Sequence, residues 1–281
     1  NSRKQVLTKQ GEQLTNIVRY MYELAQKENI QSKPLWMENI PEIIFIAQLR
    51  KKYHITKKQN NISCVIGEYD DPYNQRQGAA EINLSTQGNA VIYGNAESGK
   101  ETLLSTIVYD IMTNYTPEEA QLYILDFGSE ALKIFRQSPS VGDVVFLSDD
   151  EKISRLFTML QKEFKERTAV LSDYNGDYNL YKKTSGNGMP MIIVMINNYE
   201  IFSENYENKY DDILLTLTRD GLKCRITFVT TTNSYNGLRY RLSQNFRQRI
   251  ALQLNNQDEY LNIFDNLGKK RPSNIFGRGL I

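Results

Sequence analysis

Cysteine and histidine are scarce in this sequence. Its 281 residues include 2 cysteines, Cys64 and Cys224, and 1 histidine, His54. Each cysteine lies in an apolar stretch typical of a strand, so we expect buried free thiols in a reducing compartment and no disulfide framework. Because no cysteine or aspartate cluster accompanies His54 in the sequence, we expect no zinc site and assign no metal ligand.

A long hydrophobic run is also missing. The longest apolar segment, residues 189–196, contains Pro190 and is far shorter than the roughly 20 residues that a membrane-spanning helix needs. No secretory signal opens the sequence. We therefore expect no direct membrane contact by this segment. Since the sequence begins at Asn1 and ends just after the apolar Leu280, we also expect it to be a fragment of a longer protein.

Neither sign of charge is in excess. The sequence has 34 Lys and Arg against 33 Asp and Glu, a formal net charge of +1. No global positive field therefore attracts nucleic acid, which disfavours nucleic acid as a partner. One local basic group, formed by Lys269, Lys270 and Arg271, is more typical of a solvated turn than of a binding patch.

The first 60 residues have a helical pattern of their own. Between Lys4 and Lys27, apolar residues recur at steps of three and four, the spacing of one helical face: Leu14, Ile17, Met21 and Leu24. A stretch with Pro34 and Pro41 interrupts this pattern, and a second short helical pattern covers residues 43–49. We interpret residues 1–60 as a helical extension or linker packed on a core of residues 61–281.

From Ser63 onward, short apolar runs alternate with helix-length segments. Six runs are typical of strands: residues 91–93, 122–125, 144–147, 191–196, 226–229 and 250–254. Helical patterns follow Gly99, Asp150 and Glu204, and another lies near Tyr235. This alternation predicts an α/β fold with a mostly parallel sheet covered by helices on both faces. Its ligand crevice should lie at the carboxyl ends of the strands.

One segment has the spacing of a phosphate-binding loop between a strand and a helix. Nine residues form this predicted nucleotide-binding motif: Gly94, Asn95, Ala96, Glu97, Ser98, Gly99, Lys100, Glu101 and Thr102. In such a loop the glycines let backbone N–H groups surround phosphate oxygens, and the lysine reaches the terminal phosphates. A glycine turn capping a helix is the simpler alternative, but the strand, spacing and helix together predict a RecA-like P-loop NTPase fold.

The residue after the lysine departs from the usual motif. A Ser or Thr hydroxyl normally stands there and ligates Mg²⁺, but this sequence has Glu101. A carboxylate about 4 Å from a phosphate repels it by about 4 kcal/mol at an effective dielectric constant of ~20. Two rescues stay open: Mg²⁺ accepts the carboxylate as a ligand, or Thr102 supplies the hydroxyl after a one-residue shift of the loop. ATP and Mg²⁺ are therefore candidate cofactors whose binding Glu101 opposes.

The strand over residues 191–196 should end in an aspartate that holds the metal and a glutamate that polarises the attacking water. It ends instead in Asn197 and Asn198. Amides hydrogen-bond water but neither act as a base nor neutralise a cation. We therefore name these two as degenerate catalytic positions and assign no other catalytic residue. Glu200 would be a stand-in base only if the turn reoriented.

A second apolar strand also ends in an acid, since residues 122–125 lead into Asp126. It directly follows the helix of the phosphate loop, so we interpret it as the adjacent strand, with Asp126 capping the next turn. The continuation Phe127 and Gly128 looks like a kinase metal motif, but no kinase catalytic loop accompanies it.

Taken in order, these residues resemble the FtsK/SpoIIIE superfamily and, within it, the last of the tandem ATPase domains of EssC/EccC-type motors in type VII secretion. The resemblance covers most of the chain and includes the phosphate loop and the strand ending at Asn197 and Asn198. Further matching positions are Trp36 with Pro41, Ile66 with Gly67, Asp70 to Pro72, Gln75 to Gln77, and Gly277 to Gly279.

The resemblance implies a membrane-anchored motor that forms homo-hexamers and engages small helical secreted proteins in the cytoplasm. This chain would be its cytoplasmic end, in contact with other ATPase domains of the same chain. Active relatives have an acidic pair at the positions of Asn197 and Asn198, a hydroxyl at Glu101 and a sensing glutamine at Thr232. A related domain of the family receives the C-terminal signal of secreted substrates, so the resemblance implies substrate docking.

Three functions follow from the sequence. The first is a degenerate ATPase module with weak or no hydrolysis, which docks substrate, assembles the motor or regulates its other domains. The alternative is an active ATP-hydrolysing motor domain, in which Lys100 keeps its phosphate contact and Glu101 or Glu200 has an unconventional role. A DNA translocase inherited from the superfamily is disfavoured by the charge balance.

Overall fold

The structure is a computed structural model that describes residues 12–30, 37–58, 60–264, 267 and 271–281. The predicted helix before Glu12, the linker residues Pro34 and Trp36, and the basic residues Lys269 and Lys270 lie outside the described residues. In chain order the elements are α1 (Glu12–Lys27), α2 (Ile46–Lys52), β1 (Ser63–Asp71), β2 (Arg76–Asn83), β3 (Ala90–Tyr93), α3 (Lys100–Asn114), β4 (Ala120–Asp126), β5 (Val141–Val145), α4 (Asp150–Ser172), α5 (Tyr178–Ser185), β6 (Met191–Asn197), α6 (Tyr199–Asn205), α7 (Asp211–Asp220), β7 (Ile226–Thr232), α8 (Tyr240–Ser243), β8 (Gln248–Ala251) and α9 (Asp258–Ile263). Short 3₁₀ helices cover Pro72–Asn74, Ala131–Phe135, Gly221–Cys224 and Tyr235–Gly237.

Six of the described strands form one sheet in the order β5-β4-β6-β7-β3-β8. All of its strand pairs are parallel, which confirms the predicted mostly parallel sheet. The strand before the phosphate loop, β3, lies between β7 and β8. Because β6 pairs with β7, the carboxyl end of β6 lies two strands away from the phosphate loop. Strands β1 and β2 form a separate two-stranded sheet.

Each face of the large sheet packs into its own apolar cluster, because neighbouring residues of a strand point to opposite faces. On one face, Tyr93 and Val194 pack with residues of α4, α6 and α7. On the other face, Ile92 and Ile193 pack with α3 and with residues of β1 and β2. Helices on both faces, as predicted, explain why β6 is buried along its whole length.

The sequence predicts that the strand at residues 122–125 lies next to the phosphate-loop strand, and this prediction is wrong. Strands β6 and β7 lie between β4 and β3, so chain order here does not give the neighbour in the sheet. The prediction that Asp126 caps the next turn is confirmed. Its carboxylate accepts from the N–H groups of Gly128 and Leu132, both at 3.1 Å.

Two strands end at residues other than those predicted. The predicted strand at 144–147 ends at Val145, because Phe146 and Asp149 form a turn into α4, with the Phe146 N–H donating to the Asp149 carboxylate at 3.1 Å. In contrast, β7 continues through Thr232, since its terminal threonines are buried.

Both cysteines are buried with free thiols, as expected, and burial raises the pKa of Cys64 well above its ordinary value.

Contacts divide the chain into two units. The first contains described residues up to Ile40 together with Asp70–Gln77, and the second contains Pro41–Tyr69 and Gly78–Ile281. The first unit includes α1, which confirms an N-terminal helix, and the Gln77 side chain donates to the carbonyl of Glu38 at 2.6 Å. The second contains the large sheet. A domain boundary near residue 60 stays a prediction.

Within the second unit, a buried ion pair fixes α2 to α3. Arg50 donates through Nε and Nη2 to both carboxylate oxygens of Asp110, each at 2.6 Å. The side chains are 11% and 1% exposed. Asp110 also accepts from the backbone N–H of Val65 at 2.9 Å, so one carboxylate joins α2, α3 and β1.

We expect Asp110→Ala to lower the free energy of unfolding by about 3 kcal/mol, because it leaves Arg50 without its buried partner. Urea unfolding followed by circular dichroism measures this change. The control is Arg155→Ala, which removes an ion pair whose two side chains are 77% and 78% exposed, and should leave the midpoint unchanged. Equal midpoints for the native chain and Asp110→Ala would contradict this role of the pair.

Candidate nucleotide site

The phosphate loop connects the buried end of β3 to the first turn of α3. The conformation of the loop requires glycine at two positions. A Cβ on Gly94 would lie 2.3 Å from Ser98 Oγ, and Gly99 has a φ of +101°, a conformation that favours glycine. Ser98 is 2% exposed, and its hydroxyl has no hydrogen-bond partner among the described residues. The backbone therefore has the curled form that surrounds phosphate oxygens at a helix N-terminus.

Lys100 begins α3, and its ammonium group folds back on the loop. It donates to the carbonyls of Gly94 and of Asn95, the latter at 2.7 Å, and to Oδ1 of Asn233 at 3.1 Å. Burial lowers the pKa of Lys100, while the negative charges of Glu200 and Glu101 act in the opposite direction. A lysine at this position of a phosphate loop reaches the terminal phosphates, and here it donates to acceptors of the protein itself.

Glu101 is held by Ser129, which follows β4, and by Asn197 at the end of β6. One of its oxygens accepts from the N–H of Ser129 at 2.9 Å, and the other accepts from the Ser129 hydroxyl at 2.6 Å. The amide of Asn197 donates to the same carboxylate at 3.1 Å. Burial alone would raise the pKa of Glu101, but the hydrogen bonds from Ser129 and Asn197 outweigh it and hold the pKa below its ordinary 4.5.

Asn197, one of the two predicted degenerate positions, bridges two carboxylates. Its Nδ2 donates to Glu101 at 3.1 Å and to Asp126 at 2.8 Å. Its Oδ1 accepts from the Thr231 hydroxyl at 2.9 Å, which fixes the orientation of the amide. Asn197 and Asp126 are 2% and 1% exposed. The structure therefore brings the half-buried Glu101 and the buried Asn197 and Asp126 into one hydrogen-bonded network.

Asn198 lies between β6 and α6, and Glu200 lies in the first turn of α6. Asn198 has a φ of +66°, and its Oδ1 is buried without a hydrogen-bond partner among the described residues. Glu200 is held away from the network, since its Oε1 accepts from the Thr232 hydroxyl and the Asn233 N–H, both at 2.6 Å. Its Oε2, also buried, has no partner in the described part of the chain.

The predicted loop residues meet the end of β6 at one cavity of about 300 Å³. Its walls include Ala96, Glu97, Ser98, Gly99, Lys100, Glu101, Thr102, Gly128, Asn197, Asn198, Asn233 and Phe276. Gly94 and Asn95 do not line the cavity, and they contribute through their carbonyl contacts with Lys100. In this structure α3 begins at Lys100, and Thr102 lines the cavity beside Glu101.

The phosphate and metal parts of this site differ in how well they fit a nucleotide. The glycine loop and Lys100 fit phosphate groups. At the positions of the usual metal ligands, a hydroxyl and an aspartate, this chain has Glu101 and the neutral amide of Asn197. The Asn197 amide donates a hydrogen bond to the Glu101 carboxylate. These residues do not fit the ordinary Mg²⁺ arrangement.

Sequence reasoning missed four residues that shape this site: Ser129, Thr231, Asn233 and Phe276. They come from loops or strand ends that no motif marks. At Gly128 the residue type itself is consistent with a close contact between side chains. A Cβ there would lie 2.4 Å from both Glu101 Oε1 and Asn197 Nδ2, so only glycine admits this network without a shift.

A phosphate loop between a parallel strand and a helix, with a lysine at the head of that helix, defines a P-loop NTPase domain. A model of the FtsK/SpoIIIE family matches residues 47–278. The chain belongs to the FtsK/SpoIIIE family.

The chain is similar to the type VII secretion system protein EssC of Staphylococcus aureus, with 24% identity over 253 residues. The match covers 88% of this chain but only 17% of that relative, so the chain spans a small part of its length. Among solved structures, ATPases 2 and 3 of EssC from Geobacillus thermodenitrificans match with a TM-score of 0.74 and 27% identity, over 80% of this chain and 43% of that one.

A second similar structure is that of ATPases 2 and 3 of Thermomonospora curvata EccC in complex with a signal sequence peptide. It has a TM-score of 0.65 and 24% identity, and the match covers 71% of this chain and 38% of that one. At this identity the likeness shows the fold. Among the described residues of this chain, none of the helices has the length and apolar character needed to cross a membrane.

The lowered pKa of Glu101 predicts a pH dependence of stability. A carboxylate with a lowered pKa in the folded chain adds stability above its unfolded pKa, and this stability is lost as the pH falls through the folded pKa. We expect the native chain to lose stability relative to Glu101→Gln as the pH falls below 4.5. Urea unfolding of both chains at several pH values measures this difference.

The matched control is Glu97→Gln, which removes an exposed carboxylate from the same loop. Its unfolding free energy should follow that of the native chain through the same pH range. Parallel curves for the native chain and Glu101→Gln would contradict the role that we assign to Ser129 and Asn197.

Proposed function

We propose that this chain is a degenerate ATPase module of a type VII secretion motor, with weak or no ATP hydrolysis, that docks substrate or regulates and assembles the motor. The observation that carries the proposal is the hydrogen-bonded network of Glu101, Asn197 and Asp126. It occupies the positions from which a P-loop NTPase normally holds its metal and activates water.

The two departures from the usual motif support each other. With Glu101 in place, an aspartate at position 197 would put three carboxylates together, since Asn197 now touches both Glu101 and Asp126. Like charges at such distances disfavour ionisation of at least one group. An amide avoids this repulsion and donates to both neighbours. Restoring only one of the two positions would therefore not recreate an active site.

The catalytic base is also replaced. Asn198 lines the cavity at the position where an active relative has a glutamate, and an amide does not accept a proton from water. One observation favours the alternative of an active motor: Glu200 keeps one buried carboxylate oxygen without a partner among the described residues. Its other oxygen, however, is held by Thr232 and Asn233, which fixes the group away from Asn198.

Nucleotide titration tests the proposal. By calorimetry with ATP and Mg²⁺, we expect Glu101→Thr to bind at least tenfold more tightly than the native chain, because it removes a repulsion of about 4 kcal/mol. The control is Glu151→Gln, which removes a carboxylate that is 78% exposed and does not line the cavity, and it should bind like the native chain. The double variant Glu101→Thr with Asn197→Asp keeps the net charge constant and moves one carboxylate from position 101 to position 197, where the usual motif has an aspartate.

Turnover is the second readout of the same experiment. We expect the native chain and Lys100→Ala to show the same background rate of phosphate release. A robust native rate that Lys100→Ala abolishes would overturn the proposal and favour the active motor. Tight binding by the native chain without turnover would instead support a module that binds nucleotide and does not cleave it.

Substrate docking extends the proposal to a partner. The signal sequence peptide bound to the Thermomonospora curvata relative supports docking of small helical secreted proteins through their C-terminal signals. We also propose that the chain lies at the cytoplasmic end of a membrane-anchored, hexameric motor, as its last ATPase domain beside other ATPase domains of the same chain. Nucleic acid is not proposed as a partner, because the charge is balanced.

We expect a fluorescent peptide from the C-terminus of a small helical secreted protein to bind the chain equally well with and without Lys100→Ala, because docking does not depend on hydrolysis. Fluorescence anisotropy measures the binding, and a scrambled peptide of equal composition is the control. Equal affinity for the two peptides would remove docking from the proposed function.

A further inference from the structure

The segment of residues 275–280, here called the C-terminal strap, packs against the phosphate loop. The N–H of Gly277 donates to the carbonyl of Ser98 at 3.3 Å, and a Cβ on Gly99 would lie 3.4 Å from Gly277 Cα. At its far end, Leu280 and Ala251 exchange backbone hydrogen bonds of 2.8 and 2.9 Å. The strap is thus fixed both to β8 and to the loop that forms the phosphate cradle.

Phe276 projects from this strap at the wall of the nucleotide cavity. The residue is 62% exposed, and its Cζ atom would lie 3.4 Å from a Cβ on Gly99. The backbone around it is held by the side chain of Gln253, which donates to the carbonyls of Ser273 and Ile275 at 3.1 and 3.0 Å. A large apolar ring is therefore kept in place beside phosphate-binding groups, although most of its surface faces solvent.

We propose that Phe276 is the platform on which the aromatic base of a bound nucleotide stacks while its phosphates lie on the loop. The reason is the combination of groups in one cavity: backbone N–H groups and Lys100 suit phosphate, and an exposed aromatic face suits a flat heterocycle. A nucleotide has both parts in one molecule. This inference rests on the proposed function, in which the loop keeps its phosphate cradle, and it adds a recognition element outside the loop motif.

Binding of ADP and of inorganic pyrophosphate separates the base from the phosphates. Both probes are titrated by calorimetry into the native chain, Phe276→Ala and Phe276→Tyr, and the same set is repeated with Glu101→Thr, which removes the opposing carboxylate. We expect Phe276→Ala to bind ADP about tenfold more weakly, with pyrophosphate affinity unchanged, because only the base stacks on the ring. Phe276→Tyr keeps an aromatic face and should retain ADP affinity.

Ile275→Ala is the matched control, since Ile275 is an exposed apolar neighbour on the same strap. It should leave the affinities for both probes unchanged. Unaltered ADP affinity in Phe276→Ala would overturn the inference. An equal loss of affinity for ADP and pyrophosphate would also overturn it, because Phe276 would then only support the loop and not contact the base.

The design also distinguishes this inference from the proposed function. If the native chain binds neither probe but Glu101→Thr binds both, the proposed inactivation by Glu101 is supported, and Phe276 is judged in the Glu101→Thr chain. If neither probe binds even to Glu101→Thr, the stacking role of Phe276 is overturned, while the absence of hydrolysis in the proposed function stands.

Discussion

The amide of Asn197 donates to the carboxylates of both Glu101 and Asp126, at 3.1 and 2.8 Å. This contact joins the first turn of α3 to the ends of β4 and β6, three elements that the sequence separates widely. It is possible only for a neutral donor, because a carboxylate at this point would face two others in a buried environment. The two positions at which this sequence departs from the usual motif, Glu101 and Asn197, are therefore in direct contact.

The parallel sheet is what brings this network together. Residue Asp126 is in register with Asn197 across the β4 and β6 pair, so an acid and an amide at the two strand ends lie side by side. The neighbouring strand β7 supplies Thr231, whose hydroxyl donates to the Asn197 carbonyl oxygen and leaves the amide nitrogen facing the carboxylates. The register of three buried strands thus sets the direction of one amide, which in turn places Glu101.

Much of this arrangement was readable from the sequence, because apolar runs and the loop spacing report on burial and phosphate binding directly. The six strands of the sheet, the helix that begins at Lys100 and the departures at Glu101 and Asn197 are of this kind. The order of strands was not readable, since β4 follows the phosphate-loop helix in the chain yet lies beyond β6 in the sheet. Ser129 was missed for a related reason: its contact with Glu101 depends on that order and on a loop without a motif.

The shape of the phosphate loop does not by itself indicate hydrolysis. Gly94 leaves room for the buried Ser98, and Gly99 has a φ of +101°, so both glycines have structural roles that need no nucleotide. Lys100 likewise finds acceptors in the loop's own carbonyls. The loop can therefore keep its form for structural reasons, whether or not it takes part in hydrolysis. What separates a binding module from a motor is the metal position, and there Glu101 and Asn197 have replaced a hydroxyl and an aspartate with a closed pair of hydrogen-bonded groups.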